Sequence, residues 1–174
     1  GMNTSATAIY DWPNPFSCNY GGNKVQMVYR ASELLAQGLT AGSEITSVAF
    51  DIAAPSSFVC YDFTIRIGTT NLDELTSNFV PFGNLTVVYN QNFTPSQAGI
   101  NIFNFTQPFI WDGVSNVVVQ TIHNQGNYGN GAGTTVKFTP TTFNSTYSGI
   151  KDGVTPAGAA SFDAQTSFSS GGTS

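Results

Sequence analysis

Alternation of apolar and polar positions is clearest at Tyr61, Phe63, Ile65 and Ile67, which interleave with Asp62, Thr64 and Arg66. A period of two predicts a strand with one buried face. The same alternation runs through Val25, Met27 and Tyr29, and through Val48, Phe50 and Ile52. Residues 85–90, 136–139 and 142–147 are shorter strand candidates. The longest apolar stretch, residues 99–123, predicts two strands, 100–105 and 117–122. They are joined as a core hairpin through Pro108 and the turn residues Trp111, Asp112 and Gly113. Its first arm is apolar on both faces, Ile100 and Ile102 on one, Phe103 and Phe105 on the other. That arm is expected to carry a bulge or to be buried on both sides. The second arm opens with three valines, which fits a central position. Trp111 is assigned to the structure of the corner, with its ring buried. One short helix is predicted at residues 33–37, capped by Ser32 and ended by Gly38.

Between these elements the chain reads as loop. Pro13 and Pro15 keep YDWPNPF, residues 10–16, out of a central strand and make it a loop with exposed aromatics. HNQGNYGNGAG, residues 123–133, is a long irregular loop. Residues 152–174 are small and form a tail with little surface to bury. About eight short strands spaced by turn signals predict one domain over residues 1–174. The expected fold is an all-β, two-sheet antiparallel β-sandwich with one short connecting helix.

Composition narrows the setting. The chain has 174 residues, enough for a proper core, with 9% charged and 13% aromatic residues, 14 of them Phe. Asn, Ser and Thr supply most of the polarity, as on extracellular β-sandwiches. Net charge is −5, and the five basic residues, Lys24, Arg30, Arg66, Lys137 and Lys151, are scattered. No basic patch is available for phosphates, which argues against nucleic acid and anionic membrane as partners. No apolar run is long enough to span a bilayer. Gly1–Met2 reads as a cleavage scar, so the chain is expected to be a module excised from a larger protein. The two cysteines, Cys18 and Cys60, favour one disulfide in an oxidising compartment. The alternative is two unrelated buried thiols. A bridge would close a loop of about 40 residues and stabilise by roughly 3–4 kcal/mol.

Several ordered segments resemble a known kind of module. RASELLAQGLTAGSEITSVAFDI, YDFTIRIGTT and QPFIWDGVSNVVVQT stand in the order and spacing met in secreted Bacteroidetes proteins. The resemblance covers residues 10–147. Such modules are jelly-roll sandwiches, similar to cleaved-adhesin and carbohydrate-binding domains, in multidomain proteins exported by the type IX system to the cell surface. It implies an extracellular accessory or adhesive module beside flanking domains, and supplies no set of binding residues. In similar modules a closing strand follows the Ser/Gly-rich tail. Here no such strand is recognised before Ser174: either the chain is cut short or its closing strand differs, and a missing strand would leave a sheet edge open to a donated one.

Catalytic chemistry finds little support. There is one histidine, His123, and no Gly-x-Ser-x-Gly, phosphate loop or His-Glu-x-x-His. Only three glutamates, Glu33, Glu44 and Glu74, are present, each a solvated or capping group. No enzyme activity is expected. Sugar binding needs aromatic faces and amides. Trp12, Tyr20 and Tyr128 fall in predicted loops, with Asn124, Gln125, Asn127 and Asn130 around Tyr128. These seven are the candidate glycan contacts, each with a plain packing role as its alternative. No cofactor is expected. A structural calcium could use Asp11, Asp51, Asp112 or Asp152, though turn formation explains these aspartates as well. The reading is a non-catalytic polysaccharide-binding or adhesion module, monomeric and extracellular. The alternative is a structural spacer or a protein-binding, strand-accepting adhesin domain.

Overall fold

The computed structural model describes residues 8–9, 13–17, 20–124, 133–154, 159–164 and 171–173. Its strands are β1 (Ala8–Ile9), β2 (Gly22–Tyr29), β3 (Glu44–Ala54), β4 (Cys60–Thr70), β5 (Thr86–Phe93), β6 (Gly99–Ile110), β7 (Asn116–Asn124), β8 (Thr135–Lys137), β9 (Thr146–Lys151) and β10 (Gly171–Thr173). Helix α1 spans Ala31–Ala36 and α2 spans Ala159–Ala164. β1 pairs with β8, β2 with β7, β3 with β6 and β4 with β5, all antiparallel. A long hairpin wound back on itself produces that nesting, which is jelly-roll connectivity. One sheet runs β1-β8-β3-β6 and the other β10-β9-β2-β7-β4-β5. The all-β two-sheet sandwich expected from the alternation is the fold of the chain.

The inner faces meet in an aromatic core. Phe16 lies 5.3–5.4 Å, centroid to centroid, from Phe50, Phe63 and Phe93, and 6.2 Å from Phe103. Ile52, Ile65, Ile67, Val117, Val119 and Trp111 complete it. Phe16 corrects the reading of residues 10–16 as a loop with exposed aromatics. Asn14 folds that segment inward: its side chain accepts from the Phe16 N–H at 2.9 Å and donates to the Thr134 carbonyl at 2.7 Å. Trp12 lies outside the described residues.

The expected hairpin of residues 99–123 is also corrected. β6 and β7 belong to different sheets, so their connection is a corner between layers. Trp111 is fully buried there, its indole N–H donating to the Ser115 carbonyl at 2.8 Å. Asp112 Oδ1 accepts from the Val114 and Ser115 N–H groups, and Gly113 turns the chain at φ 83°. β7 is central, between β2 and β4. β6 is an edge strand: Phe103 is buried, while Ile100 and Ile102 are 63% and 62% exposed. The bulge expected in this arm lies further along, opposite residues 45–47 of β3.

Helix α1 begins one residue before Ser32, with Arg30 as N-cap. The Arg30 N–H is bonded by Glu33 Oε2 at 2.8 Å, so Ser32 is not the cap. Gly38 does end the helix: at φ 87° it lets Leu39 N–H reach back to the Leu34 carbonyl, a Schellman close.

The outer face of the larger sheet is covered, not open. Leu75, Phe79, Val80 and Leu85 pack on Val28, Val118 and Tyr147. Val154 and Phe162, from the segment read as a featureless tail, pack on Ile122. β10 then pairs with β9 at residues 147–149, so a further strand does follow the tail, as the outermost strand of the larger sheet. No helix among the described residues is long and apolar enough to cross a membrane.

Candidate functional site

Where these two covers part, a cleft of about 230 Å³ opens on the outer face of β2, β7 and β4. Register places the side chains of its floor in rows. Lys24, Ile122 and Thr64 form one row, and Gln26, Gln120 and Arg66 the next. Asp62, Thr64, Arg66, Phe82, Ile122, Asn124, Phe162 and Asp163 line the opening.

One end of the cleft is a polar well. Asp163, from α2, accepts from Arg66 Nη2 at 2.7 Å and from Gln120 Nε2 at 3.0 Å. Lys24 Nζ donates to the Asp163 carbonyl and stands 3.9 Å from its carboxylate. Gln26 sets the orientation of Gln120, donating to its Oε1 at 2.8 Å. Gln26 is itself fixed by both backbone groups of Val80, at 2.8 Å each. Burial pushes the Lys24 ammonium down to about 8; Asp163 opposes that shift and Arg66 adds to it. Two rings back the cations: Phe79 lies 4.7 Å from Lys24 Nζ and Phe82 lies 5.3 Å from the Arg66 guanidinium carbon.

The other end is made by a bulge. Tyr61 and Thr64 of β4 pair with Asn124 and Ile122 of β7, so two residues stand opposite His123. Asp62 takes up the extra length at φ 50°, alone among the described non-glycine residues in a left-handed conformation. Its Oδ2 accepts from Asn124 Nδ2 at 3.1 Å, and its N–H donates to Asn92 Oδ1 at 3.0 Å. The bulge also turns Tyr61 out to 47% exposure, which corrects the expectation that it shares a face with Phe63.

Of the sequence candidates, Asn124 lies in the cleft. Tyr20 is half-buried at the same end of the sheet, two residues before Gly22, which pairs with Asn124. Trp12, Gln125, Asn127, Tyr128 and Asn130 lie outside the described residues, as does Cys18. Cys60 is fully buried in the core, at the start of β4. Asp51 pairs with Lys137 at 2.9 Å, and Asp112 is occupied by Ser115 and Val114. Asp51 and Asp112 are thereby engaged with protein donors, Asp152 is an exposed turn residue after β9, and Asp11 is outside the described residues. Among the described residues no three His, Cys, Asp or Glu side chains are grouped to hold a metal ion.

His123 points the other way, into the core, 6.4 Å from the Phe63 ring and 3.4 Å from Asn23 Nδ2. Burial drives it down to about 4, an effect the Ser17 backbone partly offsets.

Sequence reasoning missed Asp62, Arg66, Phe82 and Asp163. Lys24 and Arg66 could have been noticed as cations inside strands of a chain with few charges. Nothing local marks Asp163 as their partner. Comparison with protein-family models, curated proteins and solved structures found no match for this chain.

Proposed function

We propose that the chain is a non-catalytic, extracellular glycan-binding module of a larger secreted or surface protein, of the Bacteroidetes type IX kind that its segments resemble. It would hold a linked enzyme or a cell on its substrate, acting as a monomer. The observation that supports this most is the Asp62 bulge, which aims a carboxylate and the Asn124 amide into a cleft rimmed by the Phe82 ring, 37% exposed. Sugar rings need such a set: an aromatic face for C–H surface and fixed polar groups for hydroxyls. The volume of about 230 Å³ falls below the roughly 300–1,000 Å³ usual for drug-sized ligands, so it suits a single ring. Gln125, Asn127, Tyr128 and Asn130, which follow Asn124 in the sequence, stay candidates for further contacts.

Affinity electrophoresis against soluble polysaccharides, with pull-down on cellulose and chitin, tests this. Retardation abolished by Asn124→Ala or Phe82→Ala is expected. Retardation lost only in Trp12→Ala or Tyr128→Ala would move the site to those loops. No retardation on any glycan would overturn the reading.

A second reading, protein adhesion through a sheet edge, is favoured by β6. Its twelve residues hold no charge, and Ile100 and Ile102 are exposed along it.

A further inference from the structure

We propose that the well beneath α2 is a carboxylate-binding subsite which Asp163 fills from within the chain, and that the glycans taken by the adjoining cleft carry uronic acid groups. This rests on the glycan-binding reading above and names its ligand class. Among the described residues the side chains that the sheet sends to Asp163 are donors: Lys24 from β2, which bonds its main-chain carbonyl, and Gln120 from β7 and Arg66 from β4, which bond its carboxylate. Gln26 and the Val80 backbone hold the Gln120 amide with its N–H turned toward the well. The carboxylate alone comes from a separate element, the six-residue α2. A receptor whose donors are oriented by their own supports is what carboxylate recognition requires.

Asp163 satisfies that receptor incompletely. It takes Arg66 Nη2, while Arg66 Nε is buried without a hydrogen-bond partner among the described residues. A guanidinium offers a two-pronged fork to a planar carboxylate, and here one prong is unused. Charge points the same way, since two cations face one carboxylate. Arg66 and Asp163 line both well and cleft, so a ring seated on Thr64 and Ile122 would present its carboxylate to Arg66. Asp62 belongs to the bulge at the other end of the cleft, four residues from Arg66 along β4.

The probe is polygalacturonate, compared with its fully methyl-esterified, uncharged form, on the whole chain. Binding tighter to the free acid by roughly ten-fold or more is expected, the factor of one charge-assisted bond, and it should weaken with added salt. Asp163→Ala should tighten polygalacturonate binding by removing the internal competitor, and Arg66→Gln should abolish the preference for the acid. Equal affinity for acid and ester would overturn the inference in the unaltered protein, whatever the variants do. Binding confined to neutral glycans would also overturn it and leave the glycan reading standing. Binding to no glycan would overturn both.

Discussion

Asp62 and His123 sit back to back across one sheet, and each makes a separate prediction. A left-handed L-residue carries strain of about 1 kcal/mol relative to glycine. Asp62→Gly should therefore raise the urea midpoint slightly while weakening glycan retardation, and Asp62→Asn should preserve stability. Loss of stability in Asp62→Gly would mean that its contacts with Asn92 and Asn124 outweigh the strain. His123 works through pH. Its folded value of about 4 lies below the ordinary 6.5, so the fold favours the neutral ring. Above pH 6.5 neither state is charged and nothing is lost. As pH falls from 6.5 to 4, the unfolded chain binds the proton first, and stability declines by about 3 kcal/mol. Urea titrations at pH 7 and 4.5 should show that decline, and His123→Gln should remove its share. At this scale the sequence was legible where one residue acts on its neighbours, as with Trp111, Asp112 and Gly38. It was not legible at Phe16, because a loop aromatic folded inward looks the same as an exposed one.

Elements were legible in type and uncertain in company. Seven strands fall where the alternation placed them, and α1 within two residues. The corner between β6 and β7 was misread because Pro108, Asp112 and Gly113 turn a chain equally well within one sheet or between two. Facing was ambiguous in β6 for a related reason: both sets of its apolar residues look core-like. The structure separates them. Phe103→Ala should cost about 3–5 kcal/mol, and Ile102→Ala should stay within about 0.5 kcal/mol. Comparable losses at the two positions would reverse the facing of β6. Helix α2 was missed because AASFDA holds one large apolar residue and shows no period.

For the whole molecule, the winding of the hairpin decides what could be foreseen. The two-sheet sandwich was accessible because strand spacing survives in sequence; the jelly-roll order of its strands came only from the resemblance. The well was not, because Lys24, Arg66, Gln120 and Asp163 span 139 residues and meet only after the sheets form. The end of the chain offers the sharpest global test. By composition residues 152–174 have little surface to bury, whereas the structure puts Phe162 on Ile122 and Asp163 between two cations. Removing 152–174 leaves Lys24 and Arg66 without their carboxylate, a loss on the order of 3–5 kcal/mol. The melting temperature should fall by about 10 °C. An unchanged melting temperature would restore the view of a passive tail.

The placement of β7 has a consequence in time. Its residues from Val117 to Asn124 are buried, and neighbours bond it on both sides, so its amides should exchange with solvent only through global unfolding. Helix α2 has a single turn and a half and rests on one phenylalanine and one aspartate, so its amides should exchange through local opening. The cleft then combines a floor that persists for the lifetime of the fold with a cover that renews itself far more often. Any ligand that competes with Asp163 would wait on the cover and never on the floor.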